Sequence, residues 1–156
     1  MLWKSLCIIH LAPYLTRNPP IDSADESKNQ IVNLPPDTCT QTDLDFIVPR
    51  VLELTYTAEG LRPWTEDLGY TGDPFPWDPS HRCQLRAELD AYYACLYSLT
   101  RDELHYILDP ADVEGEDYPF ETFRVLKGKE IREFGDYRTY NLALDAWNRL
   151  EQGDIQ

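Results

Sequence analysis

The sequence predicts a mainly α protein: a small bundle of about five or six helices joined by Pro/Gly-rich loops, with an extended or disordered N-terminal end. Apolar residues recur at helical spacing, most clearly Leu85, Leu89, Tyr92, Tyr93 and Leu96. Helix starts are written out, as in LTRDELHYILDP (99–110), where Thr100 can cap and Glu103 can return the cap ahead of Leu104, Ile107 and Leu108. Twelve prolines supply hard stops between the segments.

Residues 1–30 stand apart as a flexible segment, and residues 31–156 form the helical domain. MLWKSLCIIHLAPYL resembles a signal peptide, but His10 and Pro13 interrupt its apolar run and no small-residue cleavage pattern follows cleanly. TRNPPIDSADESKNQ is polar and without period. IVNLPPDT then gives a short extended piece ending at Pro35 and Pro36. Thr40 or Thr42 can start a helix with Leu44, Phe46, Ile47 and Val48 as its apolar surface. Pro49 is expected to break or kink it, or to open the next helix, because it has no backbone N–H. Val51, Leu52, Leu54 and Tyr56 fit a helix or a strand, and helix is favoured because Leu61, Trp64 and Leu68 follow at helical spacing, with Pro63 in a first turn. GYTGDPFPWDPS is a loop that Phe75 and Trp77 are expected to pin to the core. Asp78 caps and Pro79 opens the clearest helix, whose other face carries Arg82, Arg86, Glu88 and Asp90 as a solvated face, some at ion-pairing spacing. DPADVEGEDY reads as an acidic loop around Gly115. Pro119 is expected to start the next helix, with Phe120, Phe123, Leu126, Ile131 and Phe134 inward and Gly135 ending it. A last helix buries Tyr140, Ala143, Leu144, Trp147 and Leu150.

The formal net charge is −14. Such a chain repels phosphate and should bind nucleic acid or anionic membrane poorly by itself. No stretch reaches the ~18–20 apolar residues of a membrane span. Cys7, Cys39, Cys83 and Cys95 are widely spaced, which reads as free thiols in the reducing cytoplasm. His81 and Cys83 lie two apart, with His105 remote, and no metal-ligand spacing results. Glycine-rich nucleotide loops, a Walker loop, a nucleophile elbow and a zinc-protease motif are all missing from the text. Carboxylate pairs such as Glu114 and Glu116 are uninformative in so acidic a chain, and His105 reads as a rim residue rather than a general base.

Asn18–Ile21, NPPI, resembles the (N/D)PP(Y/F) signature of amino-methylating DNA methyltransferases. That motif needs a terminal aromatic to stack on the flipped base, and Ile21 stacks poorly. The stretch reads as linker. No catalytic, cofactor-binding or metal-binding residue is therefore nominated.

From Ile31 to Leu150 the segments LPPDT, DFIVPRVLELTYTA, DLGYTGDPFPWDP, RAELDAYYACLYSLTRDELHYILDP, YPFETFRVLKGKEIREFGDYRT and LDAWNRL follow in order. Together they resemble the C-terminal tail of large bacterial adenine-specific DNA methyltransferases of restriction–modification and phage-defence systems. The resemblance implies a catalytic domain upstream in the family that holds S-adenosylmethionine, and none of its motifs is in this sequence. Glu59 departs from the family, which tends to have an aromatic after the alanine. The expectation is a C-terminal accessory fragment, DNA-recognition-associated or packing, inactive alone, with residues 1–30 from an altered start or broken gene. Its implied partner is the missing methyltransferase part, with DNA bound only in the full-length context. Two alternatives stand beside it. One is a free-standing helical adaptor anchored by Phe75 and Trp77, and the other is an acidic DNA mimic. Arg124, Lys127 and Lys129 could add local DNA contacts, but read better as a solvated helix face.

Overall fold

A computed structural model of the chain describes residues 39–115, 117–118 and 123–155. The segment 1–30 with its NPPI stretch and Cys7, the extended IVNLPPDT piece (31–38), Glu116, Pro119 and Phe120 lie outside the described residues. Among the described residues there are seven α-helices, one 3-10 turn and no strand. The helices are α1 (Gln41–Thr55), α2 (Arg62–Asp67), α3 (Pro79–Leu96), α4 (Arg101–Leu108), α5 (Pro110–Glu114), α6 (Arg124–Phe134) and α7 (Arg138–Gln152), with the 3-10 turn at Glu59–Leu61.

Local start signals place the helices. Thr40 caps α1 and Thr100 caps α4, each in a reciprocal box with the residue three positions on, Asp43 and Glu103. Asp78 accepts from the backbone N–H groups of Ser80 and His81 to start α3, with Pro79 in its first turn. Gly135 ends α6 in the left-handed conformation at φ 78°, where a side chain would be strained.

The bundle is built around α3, which packs on α7 along one side and on α1 along the other. Ala87, Ala91 and Ala94 meet Ala143, Ala146, Leu144 and Trp147 of α7, and Leu104 and Leu108 of α4 complete that core. Small side chains let the two long helices approach closely. A second cluster joins Phe46, Ile47 and Val51 of α1 to Leu89 and Tyr93 of α3. Ile107 and Leu150 touch both clusters, so the two cores are continuous. Tyr92 stacks on Phe46 with ring centroids 4.0 Å apart and donates to Asp43 Oδ1 at 2.6 Å.

Several expectations fail for identifiable reasons. Pro49 neither breaks α1 nor starts a new helix, since α1 runs through it. Buried Phe46 and Ile47 before it, and Val51 after it, hold both halves against α3, while the proline itself faces solvent. Leu44 is exposed, and in α2 the buried residue is Thr65 rather than Leu61, which stands in solvent. Trp77 does not pin its loop, being 65% exposed. Phe75 does so instead, donating its backbone N–H to Tyr56 O at 2.9 Å and stacking on Tyr70. Arg82 and Glu88 do not belong to a solvated face, because helices cover α3 on both sides and bury them. The acidic run is not all loop: Pro110–Glu114 forms α5 before Gly115 ends it. Helix α6 starts at Arg124, and Ile131 and Phe134 point outward because no described element lies over them. Tyr140 and Leu150 are half-buried rather than buried.

Candidate functional site

His81 Nε2 sits 2.7 Å from Glu53 Oε1, tying α3 to α1, and Cys83 is half-buried one turn-edge away. Cys39, Cys83 and Cys95 are free thiols, and burial pushes that of Cys95 up. Among the described residues, no group of three His, Cys, Asp or Glu is placed to hold a metal ion. Lys127 is no mere solvated residue, for its Nζ pairs with the buried Asp109 and fastens α6 to the end of α4. Lys129 is exposed, as expected.

His105 lies at the rim of the core, beside Asp112 of α5 at 2.9 Å. Tyr140 of α7 donates its hydroxyl to the same Asp112 oxygen at 3.2 Å and meets the His105 ring edge-on. The bonds from His105 and Tyr140 hold the Asp112 carboxyl below its ordinary range, and burial with the nearby Asp112 charge pushes Tyr140 up to about 12. A carboxylate pairing with imidazole and phenol can orient a general base, and here it ties α4, α5 and α7 together.

The more developed concavity is a cavity of about 430 Å³ between α1, α3, α6 and α7. Its apolar wall comes from Leu54, Leu89, Tyr93, Leu126 and Leu142, and its charged groups are Arg82, Arg86, Asp90, Glu130 and Arg138. Arg82 is 8% exposed, with Trp77 lying over its guanidinium at 3.9 Å. Its Nη2 donates to Leu54 O at 2.9 Å, while Nε and Nη1 have no hydrogen-bond partner. Burial pushes the Asp90 carboxyl up to about 7 against the opposing pull of Arg86. Glu130 is committed elsewhere: it accepts from Thr139 N at 2.8 Å and Thr139 Oγ1 at 2.6 Å, supplying the N-terminal cap that α7 lacks locally.

The sequence missed this site because it assigned Arg82 and Asp90 to solvent, whereas Arg82 is buried and Asp90 half-buried; Arg86 is exposed, as expected. A signal was there to find. Ala87, Ala91 and Ala94 form a second small-residue stripe on α3, separate from the Leu85–Leu89–Tyr93 stripe. A helix buried on two faces must take some of its charges inside.

The other feature of note is the outward side of α6. No side chain of this helix is fully buried, and Ile131 and Phe134, one turn apart, are 45% and 51% exposed. Arg138 lies 5.5 Å from the Phe134 ring. No protein-family profile, curated protein or solved structure matches the chain.

Proposed function

We propose that the chain is a non-catalytic helical accessory module of an adenine-specific DNA methyltransferase system, docking on the methyltransferase part. The reading rests on the ordered motifs from Ile31 to Leu150 that resemble the family's C-terminal tail. The structural observation that carries it is α6, where Ile131 and Phe134 stand half-exposed on a helix that packs Leu126 on the core but has no fully buried side chain. Large apolar side chains left outside a core with an arginine beside them are the composition of a docking surface. With a net charge of −14, the complementary occupant is a basic, DNA-binding protein face rather than DNA.

A free-standing adaptor anchored by Trp77 is the second reading, favoured by that side chain's 65% exposure. The DNA-mimic reading gains nothing comparable. Glu59, Glu88 and Asp109 pair with Arg62, Arg50 and Lys127, and Asp43, Asp78 and Glu103 are spent on helix starts.

The test is binding of the purified full chain to the methyltransferase encoded beside it, measured by calorimetry. Phe134→Asp should weaken the complex at least tenfold while leaving the chain folded. Loss on Trp77→Ala with Phe134→Asp unaffected would favour the adaptor reading. No complex with the parent chain, or no such methyltransferase gene, would overturn both.

A further inference from the structure

We propose that the N-terminal segment 2–15 docks on the outward side of α6 and occupies, within its own chain, the surface that a partner would use. The contact stands on α6 and on the sequence, while its role as a regulator rests on the docking reading of α6.

Val125, Gly128, Ile131 and Phe134 recur every third residue and form one oblique ridge along α6. Val125 is 79% exposed, more than Ile131 or Phe134. The other large apolar side chains that stand in solvent, Leu44, Leu61, Trp77, Val113 and Tyr118, lie singly on separate stretches. Among the described residues, then, α6 alone gathers three of them. Gly128 interrupts the ridge between Val125 and Ile131. Glycine is unfavourable in a helix interior, and this one does not have a positive φ to justify it. Nor does internal packing call for it, since a methyl group there would meet no atom of the described residues within 4 Å. It leaves a notch between two exposed aliphatic side chains, which suits a bulky side chain arriving from outside.

The segment 2–15 has the composition to fill it. Ten of its fourteen residues are apolar and only Lys4 is charged, so it carries apolar surface that gains from being covered. Trp3, Leu6, Ile8 and Ile9 supply large side chains. The 23 residues 16–38 join it to Cys39, where the described structure begins, and can span up to ~80 Å. Helix α6 lies well within that reach. Leu126 and Glu130 line the same cavity as Val51, Leu54 and Thr55, at the end of α1 remote from Cys39, and α1 with its 15 residues is only ~22 Å long. Tethering presents the segment at an effective concentration on the order of mM, which a separate protein must outbind. A second copy is the poorer occupant, because three side chains and a notch on one helix fall short of the ~800 Å² per partner of a stable interface.

The experiment is hydrogen–deuterium exchange on the full chain, read peptide by peptide, for the parent, for Leu6→Asp with Ile9→Asp, and for Gly128→Leu. In the parent, 2–15 and α6 should both be protected, equally at low and high protein concentration. Leu6→Asp with Ile9→Asp should speed exchange severalfold in both places and leave α3 and α7 unchanged. Gly128→Leu fills the notch and favours the helix itself, yet should speed exchange in 2–15. Exchange of 2–15 in the parent at the rate of a free peptide would overturn the proposal. So would protection that grows with protein concentration, or protection that both variants leave intact. Calorimetry with the proposed methyltransferase partner separates this from the docking reading. Leu6→Asp with Ile9→Asp should bind it severalfold tighter than the parent, and equal affinity would overturn the regulatory role. No binding by either chain would overturn the docking reading and the regulation resting on it, with the exchange result standing by itself.

Discussion

Replacing Glu88 isolates the charge at the centre of the bundle. Glu88 accepts from Arg50 Nε of α1 at 2.8 Å and lies 3.2 Å from Arg149 Nη1 of α7 in a second ion pair, so one carboxylate of α3 ties three helices. Arg50 is held in place by other means as well: its Nη1 donates to Phe46 O at 2.8 Å, and its guanidinium lies 3.5 Å over the Phe46 ring. Losing one partner of a buried pair costs ~3–5 kcal/mol, whereas an exposed pair is worth ~0–1 kcal/mol. The Arg50 and Glu88 side chains are 15% and 11% exposed, against 37% for Arg149. The Arg50 pair therefore sits near the low end of the buried range, and Arg149 adds little. Glu88→Ala should cost about 3 kcal/mol, and Glu88→Gln, which keeps an acceptor for Arg50, about 2 kcal/mol. The double variant Arg50→Met with Glu88→Leu leaves no charge to solvate and should fall within about 1 kcal/mol of the parent. Urea unfolding followed by circular dichroism, at constant m, measures all three. A Glu88→Gln variant within ~0.5 kcal/mol of the parent would refute the reasoning, as would a double variant whose loss equals the sum of the two single losses.

Other variants probe separate elements of the fold. Asp90→Asn bears on pH, because the folded carboxyl titrates at about 7 against an ordinary 3.8, among Arg82, Arg86, Glu130 and Arg138. The unfolded chain loses this proton first, so Asp90 lowers stability as pH rises from about 4 to about 7. That rise sets a ceiling of about 4 kcal/mol, which partial exposure reduces to about 2. Asp90→Asn should accordingly stabilise at pH 8 and change little at pH 4, by melting at both pH values. Asp43→Ala removes a cap and leaves the Tyr92 hydroxyl without its acceptor, for a loss of about 2–3 kcal/mol in urea titration. Ser98, at φ 59°, turns the chain between α3 and α4 in a conformation suited to glycine. Ser98→Gly should therefore raise stability by about 0.5–1 kcal/mol in the same titration.

The parts of the fold legible in the sequence are those fixed within a few residues. Thr40, Asp78 and Thr100 announce helix starts because a cap is made with the next turn, and Gly135 announces an end for the same reason. Pro49 misleads because the missing hydrogen bond is a local loss that packing across α3 outweighs. Ile131 and Phe134 mislead differently. Helical period says which residues share a side, not whether another element comes to cover them. The cavity was illegible because four helices from separate parts of the chain build it, and Arg82 is covered by Leu54 and Trp77, which are remote from its own helical face.

The most direct test of the central claim is transfer of labelled methyl groups from S-adenosylmethionine to DNA adenine. Three samples suffice: the purified chain alone, the proposed methyltransferase partner alone, and the two together. No transfer is expected from the chain alone, with a rise above the methyltransferase's own rate when both are present and none of that rise with Phe134→Asp. Transfer by the chain alone, or a methyltransferase rate that the chain leaves unchanged, would contradict it.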